Sequence, residues 1–322
     1  MVANPGVLAA GIAAEKLGRP CASMLLQPGL IPSSIAPPVM AGVPLSRNAP
    51  RFMWRTFWRA LDLVGYTLLG RQLNALRTRH GLRPMYRIFR DWLSPQLVLG
   101  MFPAWYAAPQ ADWPPQIRLA GFPMFDGVVE NTLPPEVAEF CSAGKLPLVF
   151  TFGTGMMHAT DLFTMAVEAC QKLDARAIFL TKYPQQIPPN LPATIRHFSF
   201  APFRQLFPHC AAVVHHGGIG TTAKAMAAGL PQLILPFAYD QMDNGTRVKD
   251  LGAGDWIRKG KRTPRSMADA LLALEGSQIR KRCQELSTRF EKDIALEIAA
   301  DWVEALSVGA LKPHSTTSTV AG

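Results

Sequence analysis

Short apolar runs alternate with longer amphipathic segments through the second half of the chain. Residues 146–152 have the length and apolar character of a buried strand, and four further short runs are predicted strands: residues 177–181, 194–198, 211–215 and 232–235. The spacing of apolar residues predicts helices between and after them: residues 159–173, 221–228, 244–251, 266–274 and 278–306. Strands that alternate with helices are typical of a parallel sheet covered on both faces, so the pattern predicts an α/β domain over residues 124–308.

The first half is less regular, and it opens on a predicted helix with no strand before it. Its predicted helices and strands are residues 7–17 (helix), 22–26 (strand), 52–80 (helix), 97–101 (strand) and 117–120 (strand). These are too few strands for a complete doubly wound domain, so we expect an incomplete domain over residues 1–123. The small and polar residues 309–322 are predicted to form a disordered tail.

A glycine-rich turn follows the fourth predicted strand of the second half. Gly217, Gly218 and Gly220 remove Cβ bulk where this strand passes into a helix, so an anion can approach the backbone. The first free N–H groups of that helix point at the same place, with the positive end of the helix dipole behind them. Thr221 and Thr222 add hydroxyl groups at the helix start. The turn therefore predicts a phosphate-binding site.

Three polar residues follow the next predicted strand: Asp240, Gln241 and Asn244. Open α/β sheets bind ligands beyond the carboxyl ends of their strands, so we expect these side chains near the glycine turn. A diphosphate at the turn and hydroxyl groups at this loop would together describe a nucleotide-sugar. From the residues alone, capping of the helix that follows is the favoured role of Asp240 and Gln241, and binding of sugar hydroxyls is the alternative.

Composition narrows the class of protein. The chain has 322 residues, of which 48% are hydrophobic and 17% charged, which is typical of a globular protein and argues against disorder. It contains no uninterrupted apolar stretch of about 18 residues and no basic segment leading into an apolar core at its N-terminus. The five cysteines form no CxxC pair, as expected for reduced thiols. We therefore predict a cytoplasmic protein.

The net charge of +10 is unevenly distributed. Residues 1–123 hold 13 Lys and Arg against 4 Asp and Glu, whereas residues 124–322 hold 20 against 19. Arg51, Arg55 and Arg59 recur at helical spacing and would form a basic stripe with aromatic residues interleaved. The stripe fits peripheral contact with the inner face of a membrane, or a solvated basic face over an aromatic core. Nucleic acid is not predicted as a partner.

Several sequence segments resemble the GT-B nucleotide-sugar glycosyltransferases of glycosyltransferase family 1. They are FTFGTG (residues 150–155), APFRQLFPHCAAVVHHGG (201–218) and DQMDN (240–244). IAAEKLGRP, SSIAPP and GFPMFDG in the first half are similar to bacterial rhamnosyltransferases of the rhamnolipid type. The resemblance implies an α/β protein of the GT-B class, with two Rossmann-like domains of which the N-terminal one is incomplete.

The resemblance also assigns residues to three parts of the donor. Those expected at the diphosphate are His216, Gly217, Gly218, Gly220, Thr221, Gly153 and Thr154. Asp240 and Gln241 are expected to hydrogen-bond the sugar hydroxyls, and Pro202 and Phe203 to line the base pocket. Many relatives place a Glu that holds the ribose hydroxyls where Lys224 stands, so this chain departs from the family there.

The activity implied by the resemblance is an inverting transfer of a hexose or deoxyhexose from a UDP- or dTDP-sugar to a hydroxyl of a lipid or other hydrophobic acceptor. No metal or cofactor is expected. The family begins with a strand, a Gly-rich loop and a helix, and that loop often carries the general base. We expect the chain to be truncated before this segment, so the catalytic base is unknown. The alternative is a non-catalytic nucleotide-sugar-binding or partner subunit.

Two other chemistries fit the residues less well. Residues 218–223 match the loose dinucleotide pattern GxGxxA, but the strand that should end in an acidic residue ends in Leu235 and Pro236. His209, Cys210, His215 and His216 could suggest zinc. Adjacent residues at a strand end point to opposite faces, so His215 and His216 do not form a standard pair of zinc ligands. We expect His215 to pack beside the glycine turn.

Overall fold

The computed structural model describes residues 1–125, 132–290 and 294–311. The chain divides into two compact units. The first unit is Met1–Pro123 together with Ile294–Gly322, and the second is Met124–Asp293. Within the described ranges, no helix combines the length and the hydropathy that crossing a membrane would require.

The first unit is built on a four-stranded parallel sheet. Its strands, in spatial order, are β1 (Val2–Ala3), β2 (Ala22–Leu25), β3 (Leu97–Gly100) and β4 (Ile117–Leu119). The last three confirm the strands predicted in this half. The prediction that the half opens on a helix is wrong, because β1 precedes it and pairs with β2. Two residues are too short to show the apolar period on which the prediction depended.

Four helices lie in the N-terminal part of this unit: α1 (Leu8–Lys16), α2 (Arg51–Gly65), α3 (Arg71–Arg79) and α4 (Ile88–Asp91). A π-helical turn at Tyr66–Gly70 joins α2 to α3, so the stretch predicted as one helix is continuous but locally widened and underwound. Trp54 and Trp58 on the inner side of α2 are buried. Their indole Nε1 groups donate to the carbonyl oxygens of Ser46 (3.1 Å) and Ser33 (2.8 Å). These bonds fix which side of α2 faces outward.

The second unit is built on a six-stranded parallel sheet. Its strands are β5 (Leu148–Thr151), β6 (Ala177–Leu180), β7 (Ile195–Phe198), β8 (Ala212–His215), β9 (Gln232–Ile234) and β10 (Gly254–Trp256). The helices around it are α5 (Pro135–Ser142), α6 (Thr160–Leu173), α7 (Phe203–Leu206), α8 (Ile219–Ala227), α9 (Gln241–Asp250), α10 (Pro264–Leu274) and α11 (Ser277–Ser287). All five predicted strands of this half are present, whereas β10, α5 and α7 were not predicted.

Alternate residues of the central strands pack on opposite faces of this sheet. Phe150 of β5 and Phe179 of β6 pack against Phe163 of α6 on one face. Val149 and Ile178, their neighbours along the chain, are buried on the other face. Both faces are therefore covered, which explains why these strands are continuous apolar runs and could be predicted from the sequence.

The order of the strands is β7-β6-β5-β8-β9-β10. The chain thus runs outward from β5 to one edge, returns, and continues from β8 to the other edge. Such a reversal opens a crevice between the two central strands at their carboxyl ends, where doubly wound folds bind ligands. In this unit the crevice lies between the ends of β5 and β8, where Thr151 is paired in register with His215.

The last helix, α12 (Ala295–Ser307), belongs to the first unit. The sequence had assigned it to the domain at residues 124–308, as the end of a single helix that began at residue 278. In the structure Ala299 and Leu306 pack in one cluster with Leu97 and Met101 of the first unit. The apolar face of α12 is complementary to this sheet, a tertiary fact that periodicity does not reveal. Of the predicted tail, residues 312–322 lie outside the described residues.

Candidate functional site

A cavity of about 480 Å³ lies at the crevice of the second unit. It is lined by the loop after β5, by the turn after β8 with the start of α8, and by the segment that leads into α7. Eight residues predicted at separate places in the sequence line it together: Gly153, Thr154, Pro202, Phe203, His216, Gly218, Gly220 and Thr221. Three further predicted residues, Gly217, Asp240 and Gln241, are not among the residues that line this cavity.

His216 packs tightly between the two glycine segments. A Cβ atom placed on Gly153 would lie 2.9 Å from Cε1 of the imidazole, and one on Gly218 would overlap Nε2 of the same ring. Burial lowers the pKa of His216 to about 4, so its imidazole is neutral at neutral pH. The buried Nδ1 atom has no hydrogen-bond partner among the described residues. A neutral ring held in this position can offer a hydrogen bond to a ligand without carrying a charge.

His215 holds the turn from behind, as the sequence led us to expect. Its Nε2–H donates to Oε1 of Gln232 (3.0 Å), and its Nδ1 accepts from the backbone N–H of Gly217 (3.1 Å). The ring is fully buried, and burial lowers its pKa to about 3. Because both ring nitrogens bond within the protein, this arrangement leaves His215 no lone pair for a zinc ion.

Gly217 and Gly153 have a conformation that other residues rarely adopt. Their φ angles are +91° and +88°. A Cβ atom on Gly217 would lie 2.7 Å from Cγ2 of Ile234 and 3.0 Å from the carbonyl oxygen of Gln241. The glycine turn after β8 and the loop after β5 therefore each need glycine at this position, both for the backbone angles and for space.

Helix α8 begins immediately after this turn. Its N-cap, Gly218, has extended backbone angles, and no described side chain caps the helix start. The hydroxyl of Thr222 donates to the carbonyl oxygen of Gly218 (3.0 Å) and the residue is fully buried, so the prediction that Thr222 offers a hydroxyl to the ligand is wrong. Thr221 lines the cavity. A Cβ atom on Gly220 would meet no described heavy atom within 4 Å, so the backbone is open there.

Asp240 and Gln241 are tied to the loops around the turn. Oε1 of Gln241 accepts from the backbone N–H groups of Phe237 (2.7 Å) and Ala238 (3.1 Å). The amide Nδ2 of Asn244 donates both to Oδ2 of Asp240 (2.7 Å) and to the carbonyl oxygen of Gly217 (2.8 Å). Asp240 stands at the N-cap of α9, yet its side chain makes no capping bond. Burial raises the pKa of Asp240, which the hydrogen bond from Asn244 opposes.

We expect Asn244→Ala to destabilise the second unit. Asn244 is fully buried, and its removal takes a donor from the Gly217 carbonyl and from the Asp240 carboxylate, a loss of about 1–3 kcal/mol. Urea unfolding measures the change. The exposed Gln278→Ala in α11 serves as the control, and equal midpoints for the two variants would contradict the expectation.

The lining of the cavity is basic. It contains Lys182 and Lys224 but no Asp or Glu among the described residues. The ring of Phe203 stacks on Phe207 (centroids 4.6 Å apart), and Nζ of Lys224 lies 5.8 Å from the Phe203 ring centroid. Sequence reasoning missed Lys182, although its position just beyond the carboxyl end of β6 was enough to suggest it. An anion with an attached planar ring fits this lining.

Known proteins similar to the chain are glycosyltransferases. Residues 164–304 match the family model described as "Erythromycin biosynthesis protein CIII-like, C-terminal domain". The chain is 30% identical to vancomycin aglycone glucosyltransferase of Amycolatopsis orientalis over 79% of its own length and 61% of the relative's. It is 35% identical to sterol 3-beta-glucosyltransferase of Candida albicans over 51% of its length and 12% of the relative's. It therefore spans less than two thirds of the length of these relatives.

Solved structures agree with this similarity. The glycosyltransferase of kitacinnamycin superposes with a TM-score of 0.74 at 16% sequence identity. The superposition covers 95% of the present chain and 75% of the kitacinnamycin enzyme. The glycosyltransferase VinC, solved in complex with dTDP, has a TM-score of 0.65 at 23% sequence identity, and the superposition covers 96% of the present chain and 72% of VinC. At these identities the likeness establishes the fold. Over nearly its whole length the chain is similar to GT-B glycosyltransferases of glycosyltransferase family 1, and it has their α/β fold of parallel sheets.

Proposed function

We propose that the chain is a glycosyltransferase whose second unit binds the diphosphate of a nucleotide-sugar in the cavity between β5 and β8. The observation that carries the proposal is the environment of His216. A neutral imidazole with an unpartnered buried nitrogen lies beside the uncapped start of α8, in a lining with two lysines and no carboxylate among the described residues. These are the features of a site built for a phosphate anion.

The proposed chemistry is an inverting displacement. The acceptor hydroxyl attacks the anomeric carbon from the side opposite the nucleotide and gives its proton to a general base; the new C–O bond forms, and the bond to the diphosphate breaks. Negative charge grows on the leaving diphosphate, so N–H groups held in place at the start of α8 would stabilise the transition state more than the ground state. In this proposal the chain needs no metal ion for that task.

The sugar is proposed to lie against Asp240 and Gln241. Because Oε1 of Gln241 is taken by two backbone N–H groups, its amide nitrogen is the group left for a sugar hydroxyl. Oδ2 of Asp240 accepts a hydrogen bond from Asn244, and in this proposal Oδ1 accepts one from a sugar hydroxyl. At the far end, Pro202 and Phe203 are proposed to contact the base, with Lys224 beside them where many relatives have a glutamate.

The acceptor is proposed to be a hydroxyl of a hydrophobic molecule. The names of the two curated relatives, a sterol glucosyltransferase and the glucosyltransferase of the vancomycin aglycone, favour this class. The donor is proposed to be a dTDP- or UDP-linked hexose or deoxyhexose, and the dTDP complex of VinC makes dTDP the first nucleotide to test. A chain that binds the nucleotide-sugar but never transfers the sugar would instead be the non-catalytic subunit considered above.

Calorimetric titration with dTDP and UDP tests the site. We expect His216→Ala to weaken nucleotide binding by about 10- to 100-fold, since a hydrogen bond to a charged group contributes about 1.5–3 kcal/mol. His209→Ala removes an exposed histidine of the same unit and should bind like the wild type. Equal affinity of His216→Ala and the wild type would refute the assignment of the site.

A further inference from the structure

We propose that the outward side of helix α2 and the following π turn binds the surface of an anionic lipid bilayer. This outer face consists of Phe52, Met53, Thr56, Ala60, Leu63, Val64, Leu68 and Leu69. The proposal concerns the first unit alone. It does not depend on the sugar-transfer proposal.

The outer face is apolar and uncovered. Phe52, Leu63 and Leu68 expose 68%, 65% and 70% of their surface, and Val64 and Leu69 are also exposed. No charged residue belongs to the face as defined. Phe52, Thr56, Ala60 and Leu63 recur every three or four residues, so they form one continuous stripe along α2. Large exposed side chains in a continuous stripe are typical of an interaction surface rather than of solvent-facing helix.

The face is held in its outward position by the opposite side of the helix. Trp54 and Trp58 are buried and hydrogen-bonded to backbone carbonyl groups. Asp62, also buried, accepts from the backbone N–H of Phe89 (2.9 Å) and pairs with Arg90 at 3.3 Å. Because these polar bonds lock the inner side, the helix cannot turn to bury the outer face within its own unit.

A row of arginines borders one edge of the apolar stripe. Arg51, Arg55 and Arg59 recur every four residues, so they lie along the same side of α2, and all three are exposed. Arg55 and Arg59 also line a cavity of about 640 Å³ that contains Arg87 and Arg90. Arg87 pairs with Asp91, and Arg90 pairs with Asp62. Arg55 and Arg59, by contrast, have no ion-pair partner among the described residues.

The positive net charge of the residues around α2 indicates which partner the outer face binds. Between residues 46 and 91 the chain contains ten arginines and two acidic residues: Asp62, which is buried and pairs with Arg90, and Asp91, which pairs with Arg87. An apolar face edged by long basic side chains suits a bilayer, because the apolar residues enter the acyl boundary while the arginines extend to anionic headgroups. A second copy of the chain would bring the same arginines against one another, so like charges would oppose it.

Vesicle co-sedimentation of the full chain tests the proposal. We expect binding to vesicles of phosphatidylcholine with phosphatidylglycerol, and little binding to phosphatidylcholine alone. Arg51→Gln with Arg55→Gln and Arg59→Gln should weaken binding at least tenfold, since each basic side chain near an anionic surface changes it by about fivefold. Raising the ionic strength to about 1 M, where the Debye length is about 3 Å, should also release the protein.

The control for charge removes three exposed basic residues of the second unit: Arg265→Gln, Arg280→Gln and Lys281→Gln. It has the same net charge as the arginine variant and should bind vesicles like the wild type. If the two variants bind equally well, or if the wild type does not bind anionic vesicles, the proposal is overturned.

A second variant tests the apolar face. Phe52→Ser with Leu63→Ser and Leu68→Ser replaces exposed side chains only, so folding should be retained, as circular dichroism would verify. We expect at least a tenfold loss of vesicle binding. Unchanged binding would overturn the proposal. So would lipid-free self-association of the wild type that this variant abolishes, because the occupant would then be a second copy.

Discussion

Acidification from pH 6.5 to 4.5 is expected to destabilise the second unit by up to about 5 kcal/mol through His215 and His216. Burial lowers the pKa of these imidazoles in the folded chain to about 3 and about 4, from an ordinary value of 6.5. Below pH 6.5 the unfolded chain therefore binds more protons than the folded one. The stability is complete above that pH and is lost as the pH falls toward the folded values, at about 1.4 kcal/mol per pH unit for each group.

Hydrogen exchange of the amides in β8 at several pH values, corrected for intrinsic exchange, measures this loss locally. Burial raises the pKa of Asp240, which acts in the opposite direction because the folded state then holds the extra proton. His215→Asn should be less stable at neutral pH but should show a flatter pH dependence. The exposed His209→Asn should keep the wild-type slope, and equal stability of the wild type at pH 7 and 4.5 would contradict the expectation.

Gly217→Ala should destabilise the second unit by about 3 kcal/mol. Alanine is disfavoured at a φ of +91°, and its Cβ atom would lie 2.7 Å from Ile234 and 3.0 Å from a backbone oxygen. Neither neighbour is the free end of a flexible side chain, so the turn itself has to shift. Urea unfolding measures the effect, which we expect to include loss of nucleotide binding because His215 bonds this same backbone N–H.

Gly220→Ala is the matched variant, three residues further along. Its Cβ atom would meet no described heavy atom within 4 Å, and alanine in a helix is favoured over glycine by up to about 0.5–1 kcal/mol. Stability should be unchanged or slightly raised. Nucleotide affinity should nevertheless fall about tenfold, since a methyl group would stand where the phosphate approaches the backbone. Wild-type affinity in this variant would mean that no ligand approaches Gly220.

The parts of the fold that the sequence predicted are those with apolar residues on both faces. Strands β5, β6 and β8 lie in the middle of a covered sheet, so they are continuous apolar runs bounded by polar or glycine residues. Strand β10 was missed because it lies at an edge and its three residues, Gly254 to Trp256, are only partly buried. Strand β1 was missed because two residues contain no measurable period.

The sequence predicted the backbone positions that form the site better than it predicted the directions and hydrogen bonds of the side chains. Glycines at a strand–helix junction predict a phosphate turn whatever surrounds them, and the structure puts Gly153 and Gly218 against one imidazole. The direction of Thr222 could not be predicted, because it depends on which side of α8 is buried. The hydrogen bonds of Gln241 to residues 237 and 238 likewise depend on a loop conformation that no short motif specifies.

Helix α12 makes the first unit discontinuous in sequence, and this affects the order in which the protein matures on the ribosome. The residues of the second unit form one uninterrupted segment, so they can fold together as soon as they emerge. Leu97 and Met101 of the first unit must wait for Ala299 and Leu306, which are synthesised after the whole second unit. A nascent chain whose second unit has just emerged would therefore carry a complete second unit and an unfinished first one. A mutation at the C-terminal end of α12 would therefore destabilise the first unit, which contains the N-terminal residues of the protein.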